Sequence, residues 1–327
     1  MNALHRLLDI ELTNRCNALC SFCPRDKTPQ QGMMSSDTFY QVIARVEEMH
    51  IPPEINFTGQ GESLLHPELV NFAKFLKERK LDFGLTTNAS LLSTEKAEAL
   101  LDAGLARITF SVSDFDEDYE EVYALKFDNT RANIMQFLEK NEDRAEVRIS
   151  IVEHDINREK ISDMKKFWRK AGVQHIFHFG QVNRAGACDQ GLYFIGSDRF
   201  VREAERRIQE HGVSTLCGTP FKWLFVGWNG NYYLCCNDYE KRNPLGTVFD
   251  YGIEEMDEIK YRSLALGPRV CRDCDLDPTN KVREKMFEYE NGESEEVDII
   301  RILDTIKEQQ ADYPMLFNDL NWREKYK

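Results

Sequence analysis

The chain lacks any run of about 18 apolar residues, so no stretch of it reads as a membrane-spanning helix. Its first residues also lack the apolar core and small-residue cleavage site of an export signal, which leads us to expect a cytoplasmic protein. Positive charge is short as well: 42 Lys and Arg stand against 56 Asp and Glu, a net charge of −14. That balance opposes a broad nucleic-acid surface or an anionic-membrane surface. Internal repeats are missing. So is an even set of cysteines for disulfides; the count is nine, which in a chain without an export signal favours reduced thiols and metal ligation.

What remains is an ordinary globular composition, 42% apolar and 30% charged, and 327 residues, enough for a large domain and a smaller one. The distinctive stretch is Cys16-Asn17-Ala18-Leu19-Cys20-Ser21-Phe22-Cys23, directly after the apolar run Leu7 to Leu12. Thiolates packed this closely suit zinc or an iron–sulfur cluster. Three thiolates on a cubane of four irons leave one iron open, and open sites are reactive ones. The spacing would also put three thiols on one buried helical face. Asn14 and Asn17, both turn formers, and Pro24 straight after Cys23 oppose a regular helix there.

From Leu7 to Phe179 short apolar strands alternate with amphipathic helices. The expected strands are 7–13, 54–58, 82–87, 107–112, 147–152 and 174–179, and the expected helices 36–49, 68–80, 93–103, 129–140 and 158–171. Such alternation predicts a parallel sheet with right-handed crossovers, a partial (β/α)6 TIM-like barrel whose site lies at the C-terminal strand ends. At the end of the second strand, Gly59 and Gly61 let the backbone approach a ligand closely, and Glu62 can accept from an ammonium group.

The C-x3-C-x2-C spacing, with Phe22 before the last cysteine and a strand before the first, resembles the radical S-adenosyl-L-methionine (radical SAM) enzymes. The resemblance implies a 4Fe-4S cluster on Cys16, Cys20 and Cys23, with the SAM amine and carboxylate on the fourth iron. Reductive cleavage of SAM then yields a 5′-deoxyadenosyl radical that abstracts a substrate hydrogen. Gly59-Gln60-Gly61-Glu62 resembles the family's glycine-rich motif for the SAM amine, with Gln60 in place of the middle glycine. Thr86-Thr87-Asn88 is similar to a second family strand end, with Ala89 in place of its glycine. Ser111 falls where SAM is often contacted; Ser150 and Asn157 are further candidates, each with a turn or cap role as the alternative. Arg184, after the sixth strand, suits a substrate hydroxyl or carboxylate, or else a surface ion pair. His175 and His178 straddle that strand on opposite faces and read as packing or surface residues.

After Ala187 the pattern changes. A helix is expected over 197–211, then a hairpin with strands 223–226 and 231–234 joined through Asn229-Gly230, and a helix over 253–264. Cys217, Cys235, Cys271 and Cys274 make a four-thiolate set, for zinc or a second iron–sulfur cluster. The resemblance here is to the SPASM and twitch modules, and because no cysteine follows Cys274 the one-cluster twitch form matches better. Cys188 and Cys236 are left over, as buried thiols or as hydrogen-atom donors, and Cys236 is an alternative to Cys235 as ligand. From Glu288 an acidic, polar stretch reads as a linker before a helix near 297–310 and a tail expected to pack on the barrel.

These readings divide the chain into a radical SAM barrel (1–187), an auxiliary-cluster domain (188–287) and a linker with a helical tail (288–327). The expected cofactors are SAM and two 4Fe-4S clusters. The expected partners are a sugar-, aminocyclitol- or nucleoside-like small molecule and a reductant such as flavodoxin or ferredoxin, with no nucleic acid and no membrane. The resemblance to sugar-modifying, aminocyclitol-oxidising members implies dehydrogenation, with epimerisation or decarboxylation as alternatives. A peptide maturase is a further alternative, disfavoured because about six residues precede the first strand. A non-enzymatic zinc or iron–sulfur protein is the rival from another class.

Overall fold

The computed structural model describes residues 7–188 and 198–326. Six parallel strands come first: β1 (Leu7–Ile10), β2 (Glu54–Phe57), β3 (Phe83–Thr87), β4 (Leu105–Ser111), β5 (Glu146–Glu153) and β6 (His175–Gly180). Helices α1 (Ser36–Glu47), α2 (Leu69–Glu78), α3 (Thr94–Asp102), α4 (Asp116–Tyr123), α5 (Phe127–Asn141) and α6 (Ile161–Lys170) fill the crossovers. All six expected strands and five expected helices form. The unexpected α4 opens on Asp116, Glu117 and Asp118, which read as loop in sequence but suit a helix N-terminus; its Tyr119, Val122 and Tyr123 are buried.

The strands alternate by face. Leu8, Ile10, Ile55, Phe57, Leu85, Ile108, Phe110, Ile149 and Ile151 point beneath the helices into the main core. The opposite face is polar: Asp9 pairs in register with Asn56, Asn56 with Gly84, Gly84 with Arg107 and Arg107 with Glu146. A Cβ on Gly84 would meet Asn56 Oδ1 at 2.8 Å and an Arg107 guanidinium nitrogen at 3.1 Å, so glycine here leaves room for larger polar neighbours. The crossover helices on one sheet face and a polar, charged row on the other define a polar lumen.

Beyond residue 198 the sheet continues. The predicted hairpin forms as β7 (Trp223–Val226) and β8 (Asn231–Tyr233), with Gly230 at φ +78°, and β9 (Pro244–Thr247) adds an edge. Sequence periodicity gave no sign that β7 pairs parallel with β1, Leu7 to Trp223 through Ile10 to Val226. The result is one sheet in the order β6-β5-β4-β3-β2-β1-β7-β8-β9.

Around it lie α7 (Asp198–Glu210), α8 (Thr219–Lys222), α9 (Met256–Ala265), α10 (Arg269–Arg272), α11 (Pro278–Glu290), α12 (Glu296–Ala311), α13 (Pro314–Phe317) and α14 (Trp322–Tyr326). The start of the predicted helix at Ser197 lies outside the described residues. The predicted acidic linker is corrected: Glu288 to Glu290 form the last turn of α11, and only 291–295 connect it to α12. Among the described residues, the tail packs chiefly with the C-terminal elements. Ile299, Leu303 and Ile306 of α12 pack with Ala204 and Ile208 of α7 and Val282 of α11, and Trp322 packs with Phe221 and Leu264. Apolar residues spaced at helical intervals in 296–311 need a partner face, and α7 and α11 supply it.

Candidate active site

The cysteine loop leaves β1 and is closed upon itself. Thr13 Oγ1 donates to the Gly32 carbonyl at 2.6 Å, and Asn14 donates to the Gln30 carbonyl at 2.6 Å and accepts from Gly32 N–H at 2.8 Å. Its middle is pinned to α4, where Leu19 and Ser21 N–H donate to the carbonyls of Tyr123 and Val122. Cys16, Cys20 and Cys23 are all partly exposed on this loop. Burial pushes the Cys16 thiol up to about 11 and raises Cys20 and Cys23 too, with the neighbouring thiols adding to Cys16 and Cys20. Three clustered thiols that resist ionising alone need a cation to become thiolates together.

The glycines of the second loop also let it lie close against protein. A Cβ on Gly61 would sit 2.4 Å from the Thr13 carbonyl and 2.5 Å from that of Arg15; one on Gly59 would sit 2.6 Å from Glu11 Cγ. They are small so that this loop can lie against the cysteine loop. Glu62 N–H then donates to the Arg15 carbonyl at 2.8 Å. The Glu62 carboxylate, 2% exposed, accepts from Leu64 N–H, Thr87 Oγ1 and Asn88 N–H at 2.8–2.9 Å, joining the ends of β2 and β3. Three of its roughly four acceptor positions are thereby used, leaving one.

Gln60, the departure from the family motif, is 4% exposed and bridges three segments. Its N–H donates to Glu11 Oε1 at 3.0 Å, its Oε1 accepts from Thr28 at 3.1 Å, and its Nε2 donates to the Asp238 carbonyl at 3.2 Å. Glu11 also meets Lys241 Nζ at 3.4 Å, and that ammonium lies 4.3 Å and 4.5 Å from the rings of Phe225 and Tyr233. A buried ion pair thus clamps β1 to the loop after β8. No motif or periodicity marks Glu11, Lys241 or Asp238 beforehand.

Asn88 donates to Asn17 Oδ1 at 3.1 Å, tying the end of β3 to the cysteine loop, while Ala89 takes φ +61°, the left-handed conformation that a glycine adopts freely. Ser111 and Ser150 are register partners at the ends of β4 and β5, both half-buried. Asn157 fills a turn role: it donates to the Ser113 and Val152 carbonyls at 2.6 and 2.8 Å and accepts from His154 N–H at 2.9 Å. Phe22 stacks on His154 at 5.4 Å between centroids. His154 in turn meets Asp114 at 3.0 Å, whose other oxygen is buried with no partner among the described residues.

Past β6, Arg184 and Ala185 take φ +50° and +55°, strained values that mark this turn. Its expected surface ion pair is not there. Among the described residues no carboxylate bridges Arg184; it donates to Asn237 Oδ1 at 3.0 Å and its guanidinium carbon lies 5.6 Å from the Tyr239 ring centroid. Around it gather the thiols of Cys23, Cys188 and Cys236. Cys188 is buried, its sulfur 3.7 Å from the Phe22 carbonyl. Cys236 also faces Asp9, whose carboxyl burial pushes up to about 7. His175 and His178 do straddle β6: His175 lies 3.6 Å from Glu146, and His178 meets Lys165 at 2.8 Å on the helix side.

Cys217, Cys235, Cys271 and Cys274 line one pocket with Thr219, Pro220 and Val270. Cys236 does not line it, and in the hydrogen bond it shares with Cys235 it is the easier to ionise. Burial raises Cys217, Cys271 and Cys274, and nearby Asp277 adds to each. Asn280 holds the Cys271–Cys274 turn by donating to both cysteine carbonyls, at 2.9 and 2.7 Å. Four soft thiolate donors on the walls of a pocket, and three on a loop, fit iron–sulfur clusters chemically.

Two family profiles match. The radical SAM superfamily profile covers residues 10–168, and the SPASM iron–sulfur cluster-binding domain profile covers 217–275. Among curated proteins, the tungsten-containing aldehyde ferredoxin oxidoreductase cofactor-modifying protein of Pyrococcus furiosus is 30% identical over 33% of this chain and 30% of its own length. A GTP 3′,8-cyclase of Limosilactobacillus fermentum is 30% identical over 47% of this chain and 53% of its own. The chain therefore spans about a third to a half of these relatives. Among solved structures, Streptococcus suis SuiB bound to its precursor peptide SuiA shares the fold, with a TM-score of 0.62 and 15% identity over 85% of this chain and 72% of that one.

Proposed function

From the premise that this chain is a radical SAM enzyme carrying a SPASM-type iron–sulfur domain, we propose that it dehydrogenates a small sugar-, aminocyclitol- or nucleoside-like substrate. Cys16, Cys20 and Cys23 would hold the SAM-binding 4Fe-4S cluster, and Cys217, Cys235, Cys271 and Cys274 a single auxiliary one, as in twitch modules. When bound, the first supplies reductive cleavage of SAM to a 5′-deoxyadenosyl radical and the second an electron acceptor.

The observation that carries the reading is the polar lumen. Asp9, Asn56, Arg107, Arg148, Ser111 and Ser150 share its strands, and Arg184 stands at its mouth with no carboxylate partner among the described residues. A partly buried guanidinium that no carboxylate bridges among the described residues can orient a hydroxyl or carboxylate with charge-assisted hydrogen bonds. Serine, asparagine and aspartate complement a polyhydroxylated ring better than an apolar side chain. Gly61 holds the SAM loop against the cysteine loop, and the remaining acceptor position of Glu62 suits the SAM ammonium. Asn88, Ser111 and Ser150 stand where the adenosyl portion would lie, with Phe22 beside it, and a flavodoxin or ferredoxin would serve as reductant.

A second reading, epimerisation, rests on Cys188 and Cys236, two thiols at the lumen mouth able to return a hydrogen atom. Anaerobic reconstitution with SAM, dithionite and a panel of aminocyclitols, sugars and nucleosides tests both. Dehydrogenation gives one 5′-deoxyadenosine per product two mass units lighter. A product of unchanged mass carrying solvent deuterium indicates the epimerase, and turnover only with peptides sinks both.

A further inference from the structure

We infer that Asn183 is a positioning residue that fastens the Arg184 turn to the wall of the four-cysteine pocket, so that the auxiliary site sets where the substrate-holding guanidinium stands. The inference rests on the roles proposed above for Arg184 and for Cys217, Cys235, Cys271 and Cys274. Asn183 is 3% exposed and bonds to residues 90 and 92 positions away. Its Nδ2 donates to the Asp273 carbonyl at 2.7 Å, its Oδ1 accepts from Asp275 N–H at 3.2 Å, and its own N–H donates to the Asp275 carboxylate at 2.7 Å. Asp273 lies between Cys271 and Cys274, and Asp275 directly follows them. One amide side chain thus satisfies both a donor and an acceptor on the segment that carries two of the four thiols.

The next three residues follow the same wall. Arg184 donates to Asn237 Oδ1 at 3.0 Å, and Asn237 N–H in turn points at Cys235 Sγ, 3.5 Å away. Ala185, 3% exposed, lines the pocket with all four cysteines. A Cβ on Gly186 would meet that of Asp273 at 3.1 Å, so glycine lets the turn lie close. Arg184, Ala185 and Gly186 hold φ +50°, +55° and +83°, a left-handed run that residues with side chains keep only where their surroundings compel it. The hydrogen bonds of Asn183 and Arg184 across this seam end at Asp273, Asp275 and Asn237, each within two residues of a pocket cysteine. A strained turn held from one side takes its position from that side. Arg184 therefore moves with the auxiliary site, and by linkage whatever fastens the guanidinium also steadies the four cysteines.

Asn183→Ala removes both side-chain bonds and leaves Arg184 and every cysteine in the chain. Within the turn, Gly186 and Cys188 N–H donate to the Asn183 carbonyl and Ala187 N–H to that of Arg184, all at 3.1 Å, so their hydrogen exchange reports whether the turn is held. In protein reconstituted with iron and sulfide, these amides should exchange about tenfold faster in Asn183→Ala than in wild type, with the amides of β5 unchanged. Cys271→Ala/Cys274→Ala should loosen the same three. If Asn183→Ala does not fold, Gly186→Ala crowds Asp273 without removing a hydrogen bond, and the same loosening is expected at Ala187 and Cys188. With the panel compound that turns over fastest, KM should rise about tenfold in Asn183→Ala and kcat should change less, the split expected of a displaced binding group. Unchanged exchange in Asn183→Ala and Gly186→Ala overturns the inference; so does a turn still protected without Cys271 and Cys274. Loosened exchange with an unmoved KM refutes instead the substrate role of Arg184. Iron in Cys271→Ala/Cys274→Ala equal to that of wild type refutes the auxiliary-cluster assignment, and Asn183→Ala then still decides the fastening.

Discussion

Cys16, Cys20 and Cys23 occupy eight residues of one loop, whereas Cys217, Cys235, Cys271 and Cys274 are brought together from three loops across residues 217–274. The first set is partly open on a loop closed by its own hydrogen bonds. The second lines a pocket walled by α8, the loop after β8, α10 and the segment leading into α11. A set assembled locally depends little on the distant fold; a set assembled by topology is part of it.

The largest effect expected separates the two. Cys16→Ala/Cys20→Ala/Cys23→Ala should lose about four of eight irons and all 5′-deoxyadenosine formation while its urea midpoint stays near wild type. Cys271→Ala/Cys274→Ala should also lose about four irons, but with a lowered midpoint and faster proteolysis of the 235–290 region, because metal binding there is folding energy. Equal midpoints in the two variants would erase the contrast. Calorimetry and iron assay on the same preparations decide it.

Lys241 tests the seam between the regions. Its side chain and that of Glu11 are 8% and 0% exposed, so Lys241→Met should cost about 3–5 kcal/mol by stranding a buried carboxylate. Adding Glu11→Gln should restore part of that loss in a double-mutant cycle, and strict additivity would show that the pair is not coupled. Asp9, deeper in the lumen, gives the most conditional effect. Burial raises its carboxyl from 3.8 to about 7, so the folded protein holds that proton more tightly than the unfolded one. Stability contributed by the protonated form is present at low pH and is lost as pH rises from 3.8 through about 7. Asp9→Asn should match wild type in acid and exceed it at pH 8, by at most about 4 kcal/mol in urea unfolding.

The same contrast governs what could be read beforehand. Barrel strands and helices were legible because each carries its own period of two or of 3.6 residues, and Cys16 to Cys23 because their spacing is local. Glu11, Lys241 and Asp238 were not, since each acquires its role only when β7 lies beside β1, a pairing that leaves no periodic mark. The glycines at 59 and 61 were legible as needing close approach, yet what approaches is the Glu11 side chain and the Thr13–Arg15 backbone. The acidic stretch after Glu288 misled because charge on the outer face of α11 resembles charge in a linker. Arg184 and Cys236 were named from position alone, and the structure places them together at the lumen mouth.

The pairing of β1 with β7 also sets a schedule. β1 is made well before its second neighbour, which ends at Val226, so one edge stays bare while more than 200 residues are made. At about 5–20 residues per second that interval lasts roughly ten to forty seconds. Throughout it the three-cysteine loop is already synthesised and the four-cysteine pocket does not yet exist. Metal delivery to a nascent chain therefore meets the reactive site first, on a half-built sheet whose open edge invites other strands. A holdase or an early cluster donor acting on this protein has its window there.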